Sequence, residues 1–209
     1  MSLALPPAAG QTRLVLVRHA EPDVSIRGRY CGHLDVELSL EGRRVTETLA
    51  DALAAVGLAA VYSSPLRRAL GTAEPIAARL GLRPVADDRI REIDFGELEG
   101  RRYDDVAAER PDFAREFATA PAATRFPGGE SYGDLRTRVL AAAADIRAAH
   151  TGCSVAIVAH AGVTRTVLAD ALGLDATGFF RLAQPYGAVS VVDWSDGTPL
   201  VRGINVGVS

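Results

Sequence analysis

Leu14-Val15-Leu16-Val17-Arg18-His19-Ala20-Glu21 is the stretch that decides the fold. Four apolar residues in a row read as a strand buried on both faces, the pattern of a parallel sheet. The run stops at Arg18-His19, so a cation and an imidazole stand at the carboxyl end of that strand. Open α/β sheets keep their ligands at that end. An Arg-His pair alone is ordinary loop sequence. It gains weight from a second run of the same form, Ser154 to Ala159, which ends in His160-Ala161-Gly162. If the two strands are neighbours in one sheet, the two imidazoles meet at one edge.

Outward from His19, the chain alternates. A Gly-rich loop covers 26–35. Ser39 then offers an N-cap, with Glu41 in the first turn, to a helix carrying Val45, Leu49, Leu53 and Val56 and ending at Gly57. Residues 59–62 read as a short strand. Ser64-Pro65 reads as the start of a second helix, a Ser cap followed by Pro at the first position. That helix stops at Gly81, and Pro75 inside it should kink it or end its first half. Residues 84–93 read as a third strand leading into a loop. Residues 94–124 change character, being rich in charge, Ala and Pro, and read as a helical cap inserted over the sheet edge. Ser131 caps the next helix, with Leu135, Val139, Ala142, Ala143 and Ile146 on its buried side. After Ser154–Ala159 another helix runs to Gly173. Asp175 opens a short helix, and 188–194 and 200–206 read as two closing strands. The expected fold class is α/β: a three-layer sandwich, a mostly parallel central sheet with helices on both faces and a helical cap insertion.

The chain has 209 residues, 48% hydrophobic and 23% charged, which suits one soluble domain spanning 1–209 with a cap. The net charge of −3 argues against a nucleic-acid binder, so an anion site must be a local cluster of arginines. Cys31 and Cys153 make neither a disulfide scaffold nor a zinc site. Residues 1–11 carry no Lys or Arg, are broken by Pro6-Pro7, and read as a flexible tail rather than a signal peptide. No run of about 18 apolar residues exists to span a membrane. A cytoplasmic setting is the expectation, and a homodimer stays open.

Further residues converge on the same sheet edge. Arg68 lies near the start of the helix after Ser64-Pro65, where free N–H groups favour anions. Glu92 follows the third strand and has Ile93 and Phe95 beside it as a partly apolar wall. Two arginines, two histidines and one carboxyl suggest phosphoryl transfer, because the guanidinium fork matches phosphate oxygens. Each such contact is worth roughly 4 kcal/mol at ~4 Å and an effective dielectric of about 20. No metal or other cofactor is then required.

These residues fall in motifs that resemble the histidine phosphatase superfamily, in its phosphoglycerate-mutase-like branch. Arg18-His19-Ala20-Glu21 resembles the nucleophile motif, with Ala20 where Gly is usual. Ser64-Pro65-Leu66-Arg67-Arg68-Ala69 resembles the second motif, and Glu92 with Phe95-Gly96 and Glu99-Gly100 the general-acid motif. Gly128-Gly129-Glu130-Ser131 and Val158-Ala159-His160-Ala161-Gly162 complete the set. The resemblance, which extends to broad-specificity and α-ribazole phosphatases, implies a phosphohistidine route. In it His19 attacks the phosphorus, Glu92 protonates the leaving alcohol, and Arg18, Arg68 and His160 hold the phosphoryl oxygens. The Ala161 amide adds a donor. Ser25 stands where the family's loop often has an Asn that helps hold the phosphoryl group; its hydroxyl can still donate. Arg29, Tyr30, His33 and Arg102 are substrate-contact candidates by position, as are Arg101, Arg125 and Phe126.

The expected activity is hydrolysis of a small phosphorylated metabolite. A phosphoglycerate mutase with the same machinery is one alternative. A non-catalytic module sensing a phosphorylated metabolite is another. A metal hydrolase built on His19, His160 and Glu92 is disfavoured, because Arg18 and Arg68 would repel the cation.

Overall fold

A computed structural model describes residues 7–8 and 10–207. Most of the expected 1–11 tail lies outside the described residues. Among the described residues the six strands are β1 (Thr12–Arg18), β2 (Leu58–Ser63), β3 (Val85–Ala86), β4 (Ser154–Ala159), β5 (Val189–Ser195) and β6 (Thr198–Val206). They form one sheet in the order β3-β2-β4-β1-β5-β6. The helices are α1 (Leu40–Ala54), α2 (Arg67–Arg79), α3 (Tyr103–Glu109), α4 (Pro111–Thr119), α5 (Tyr132–Ala149) and α6 (Ala161–Ala171).

The apolar run of β1 divides by strand periodicity. Leu14 and Leu16 pack on one face with Leu135, Val139 and Ile146 of α5 and Val163 and Val167 of α6. Val15 and Val17 pack on the other with Leu49 and Leu53 of α1 and Ala73 and Ile76 of α2. β4 divides alike: Val155 and Ile157 go one way, Ala156 and Val158 the other. Side chains alternate faces along a strand, so only a strand covered by helices on both sides can be apolar at every position. The result is the expected three-layer α/β sandwich.

The sheet is mixed. β1 to β4 run parallel, whereas β5 is antiparallel to β1 and β6 antiparallel to β5. The closing hairpin turns at Asp196-Gly197, both at positive φ (48° and 80°), the backbone of a two-residue hairpin turn.

Three expected elements take a different form. α2 begins at Arg67, not at Ser64-Pro65. Ser64 is drawn elsewhere, and the Asp35 carboxylate of the preceding loop accepts the Arg67 N–H at 2.7 Å instead. The helix runs through Pro75 to Arg79. The third strand shrinks to two exposed residues, because Asp87 accepts the Arg89 N–H and turns the chain into a 3₁₀ turn at Asp88–Ile90. In the closing region Asp175 accepts the Thr177 and Gly178 N–H groups, and the short helix is a 3₁₀ turn at Gly178–Arg181. By contrast, Ser39 caps α1 and Ser131 forms a full capping box with Asp134 at α5, as their sequences predict.

Candidate active site

β1 and β4 are hydrogen-bonded neighbours, with Arg18 opposite Ala159. His19 and His160 are each one residue further, and the His19 N–H donates to the Ala159 carbonyl at 2.8 Å. The ring centroids are 5.1 Å apart, edge to face, and both side chains are buried. His19 Nδ1 lies 2.7 Å from the Ala20 carbonyl. A carbonyl can only accept, so Nδ1 carries the proton and Nε2 keeps its lone pair. Burial, with Arg68 and then Arg18 close by, holds the His19 pKa well below the ordinary imidazole value. The ring is therefore neutral at neutral pH, with the Nε2 lone pair free.

His160 is set by Ser64, which the sequence reading missed as a functional residue. The Ser64 Oγ accepts the Leu66 N–H at 3.3 Å and lies 2.8 Å from His160 Nε2. When the hydroxyl donates to Nε2, the ring proton is on Nδ1. His160 Nδ1 is buried and has no partner. Burial, then Arg68, His19 and Arg18, depress this ring's pKa as well.

Arg18 Nη1 donates to the Gln184 carbonyl, and its guanidinium carbon lies 3.9 Å above the Tyr186 ring. Its Nε is buried and unpartnered. Arg68, almost fully buried on α2, donates to the carbonyls of Leu34 and Gly32, both at 2.6 Å, and of Cys31 at 3.4 Å. Glu99 accepts the N–H groups of Gly32, His33 and Leu34 from the other side at 2.8–3.2 Å. Loop 31–34 is thus clamped by its carbonyls and its amides at once, with Arg68 donors left over. Glu92 accepts the Ile93 N–H and the Gly162 N–H, both at 3.0 Å. The segment before and through Glu92 is held by Arg138, which donates to the carbonyls of Arg89, Arg91 and Glu92 at 2.7–2.8 Å. α6 starts at Ala161, immediately beyond His160, so the Ala161 N–H and the positive end of the helix dipole lie at the same place, with the Gly162 N–H taken by Glu92.

These groups line one cavity of about 450 Å³, shared with nine aromatic side chains, among them Tyr30, Tyr103, Phe126, Tyr132 and Tyr186. Arg18, His19, Arg68, Glu92 and Ala161 line it, and His160 sits directly behind His19. Of the other candidates, Arg29, Tyr30 and Phe126 line it. Ser25 does not: Asp23 caps the 3₁₀ turn at Val24–Ile26 by accepting the Ser25 N–H at 2.9 Å, and Ser25 faces solvent. His33 turns away, with Nε2 3.0 Å from the Glu92 carbonyl and Nδ1 3.7 Å from Asp94, so it supports the acid's backbone rather than the cavity. Arg102 is the exposed residue before α3, its backbone bridged to Arg29. Arg101 and Arg125 are ion-paired, to Glu109 and Asp134. The Cys31 thiol lines the cavity, but burial raises its pKa. Tyr186 and Arg165 also line it, and neither was anticipated. Arg165 was legible in principle, four residues beyond Ala161 on the same helix face.

Guanidinium groups, a neutral imidazole with a free lone pair, a carboxyl and a helix N-terminus around one pocket define a phosphoryl-transfer site. The chain belongs to the histidine phosphatase superfamily (branch 1), whose pattern it matches over residues 14–207. It is 32% identical over 194 residues to phosphoserine phosphatase 1 of Hydrogenobacter thermophilus, covering 93% of this chain and 92% of that protein. It is 30% identical over 191 residues to the probable phosphoglycerate mutase GpmB of Salmonella paratyphi B, covering 91% and 89%. Among solved structures, the mycobacterial glucosyl-3-phosphoglycerate phosphatase superposes with a TM-score of 0.86 at 26% identity, over 94% of this chain and 100% of that one. The superfamily hydrolyses phosphomonoesters, and a phosphohistidine mechanism is typical of it.

Proposed function

We propose that this chain hydrolyses small phosphomonoesters through a phosphoryl group carried on His19 Nε2. The observation that carries the reading is a pair of orphaned donors. Buried polar atoms are nearly always hydrogen-bonded. Arg18 Nε and His160 Nδ1 are two of only four buried side-chain nitrogen or oxygen atoms without a partner among the described residues. Both belong to the site around His19, and phosphoryl oxygens would satisfy them.

In the first half-reaction His19 Nε2 bonds to phosphorus and the ester P–O bond breaks. Glu92 gives its proton to the departing oxygen, an effect typically worth about 10²–10⁴-fold. Arg18, Arg68, the His160 Nδ1–H and the Ala161 N–H hold the equatorial oxygens, where charge accumulates in the transition state. In the second half-reaction water attacks the phosphorus, Glu92 takes its proton, and the P–N bond breaks to release phosphate. Each charge is met by a side chain or amide of the chain itself, so no metal is required. Residues 94–124, carrying α3 and α4, act as the cap whose Phe117 joins the cavity wall. The two unpaired cysteines suit a cytoplasmic setting.

Rapid quench of the enzyme with 4-nitrophenyl phosphate in excess chelator should trap an acid-labile phosphoenzyme, and His19→Ala should abolish both it and turnover. Wild-type turnover by His19→Ala would remove the nucleophile assignment. Faster interconversion of 2- and 3-phosphoglycerate than their hydrolysis would favour the mutase reading.

A further inference from the structure

The cavity is lined by four arginines, and its sole lining carboxylate is Glu92. Arg18 and Arg68 face the phosphoryl position. Arg29 is engaged, with Nε on the Ser25 carbonyl at 3.2 Å and Nη1 on the Gly100 carbonyl at 2.9 Å, tying the entrance loops together. Arg165 is different. Its Nε donates to the Leu182 carbonyl at 2.7 Å, which fixes the guanidinium plane. Its two terminal amino groups have no hydrogen-bond or acidic partner among the described residues, and the nearest aromatic group is the Phe179 ring, 5.6 Å from its central carbon.

The placement of this cation carries the inference. Ala161 and Arg165 are separated by one turn of α6 and share a face, so Arg165 lies about 6 Å along the helix from the phosphoryl-facing end. It is half-buried, pinned at one nitrogen and not neutralised, in a wall that is otherwise largely aromatic. Its charge also bears on Arg18, whose pKa it helps to depress, so the two cations repel one another across the site. An anion between or beside them relieves that repulsion.

We propose that Arg165 recognises a second negative group on the substrate, and that the favoured substrates are phosphomonoesters bearing a carboxylate about one helical turn from the phosphate. This rests on the phosphatase reading above. A carboxylate fits better than a second phosphate. With Nε committed to Leu182, the guanidinium presents one edge of two parallel N–H groups and a single positive charge, which balances a carboxylate but only about half of a phosphate dianion. The tetrahedral group at His19 is met instead by two arginines, an imidazole and a helix terminus.

The test is a matched pair. 3-Phosphoglycerate and glycerol 3-phosphate differ only in a carboxylate replaced by a hydroxymethyl group. The wild-type enzyme should favour the acid in kcat/KM by about tenfold or more, chiefly through KM, the size expected of one charge-assisted contact. In Arg165→Gln that ratio should fall to within about twofold of unity, and Arg165→Lys, which keeps a point charge, should retain part of it. A wild-type ratio near one overturns the proposal. So does an Arg165→Gln enzyme that loses both substrates equally, since Arg165 would then serve the phosphate or the fold. Hydrolysis of 4-nitrophenyl phosphate by the wild type separates the two readings. If it proceeds while the ratio is flat, only the Arg165 assignment fails; if no phosphomonoester is hydrolysed, the phosphatase reading itself is lost.

Discussion

His19 and His160 occupy equivalent steps of two parallel strands yet are prepared for opposite tasks by their own hydrogen bonds. The Ala20 carbonyl accepts the Nδ1–H of one ring and frees its Nε2 lone pair; the Ser64 hydroxyl holds Nε2 of the other and leaves its Nδ1 buried without a partner. Glu92 depends on Gly162 in a similar local way, because a Cβ on Gly162 would overlap the Glu92 carboxylate. Glu92→Gln should therefore lose activity toward poor leaving groups such as alkyl phosphates by about 10²-fold or more, while 4-nitrophenyl phosphate is affected far less. Gly162→Ala, by displacing the carboxylate, should reproduce the same split. Equal losses across leaving groups would deny Glu92 the proton transfer. At this scale much of the site was legible. Arg18, His19, Arg68, Glu92 and Ala161 could be expected around one candidate cavity, with His160 beside it, because each follows a strand or opens a helix on one sheet edge. Ser25, His33 and Arg102 could not be placed, since a carboxylate cap, a backbone carbonyl and a β-bridge, all set by tertiary packing, decide where those loop side chains turn.

Among the elements, β1 does most to place the chemistry, as it ends in Arg18, leads directly into His19 and is buried on both faces. Leu16 is fully buried between the sheet and the α5–α6 layer. Leu16→Ala should cost about 2–5 kcal/mol, the range for a leucine truncated in a close-packed core, and urea unfolding at neutral pH would measure it. A loss below 1 kcal/mol would mean that this layer relaxes around the strand. The strand and helix succession was readable because apolar spacing and Ser caps at α1 and α5 are local signals. The start of α2 was not, because its first N–H is capped by Asp35, more than thirty residues upstream. The direction of the closing strands was available in Asp196-Gly197, a dipeptide that suits a two-residue hairpin turn, but the reading stopped at naming two strands.

Across the whole molecule the net charge is −3, yet the cavity gathers four arginines against one carboxylate, and all 23 basic residues of the chain are arginine. Composition alone hides such segregation. The two depressed imidazoles tie stability to pH. Unfolded histidine titrates near 6.5, so below that value the unfolded chain binds protons that buried His19 and His160 refuse. Stability should thus be full above about pH 7 and fall on acidification, by up to about 1.4 kcal/mol per pH unit for each ring. Asp193 adds a loss at lower pH: burial raises its pKa, but hydrogen bonds from Arg13 and Arg202 outweigh that and hold it below the usual carboxylate value. Denaturant midpoints between pH 8 and 5 would check this, and a His19→Gln, His160→Gln double variant should flatten the slope near pH 6. An unchanged slope would mean that the rings accept protons without unfolding.

Arg68 is proposed as a tool and is seen to be a brace, since the cation assigned to the phosphoryl group ties down the carbonyls of Cys31, Gly32 and Leu34. A substitution of Arg68 would therefore loosen the rim of the binding chamber along with any grip on phosphate. Arg165 makes no bond to that loop, so a substitution there leaves the loop's ties to Arg68 and Glu99 in place.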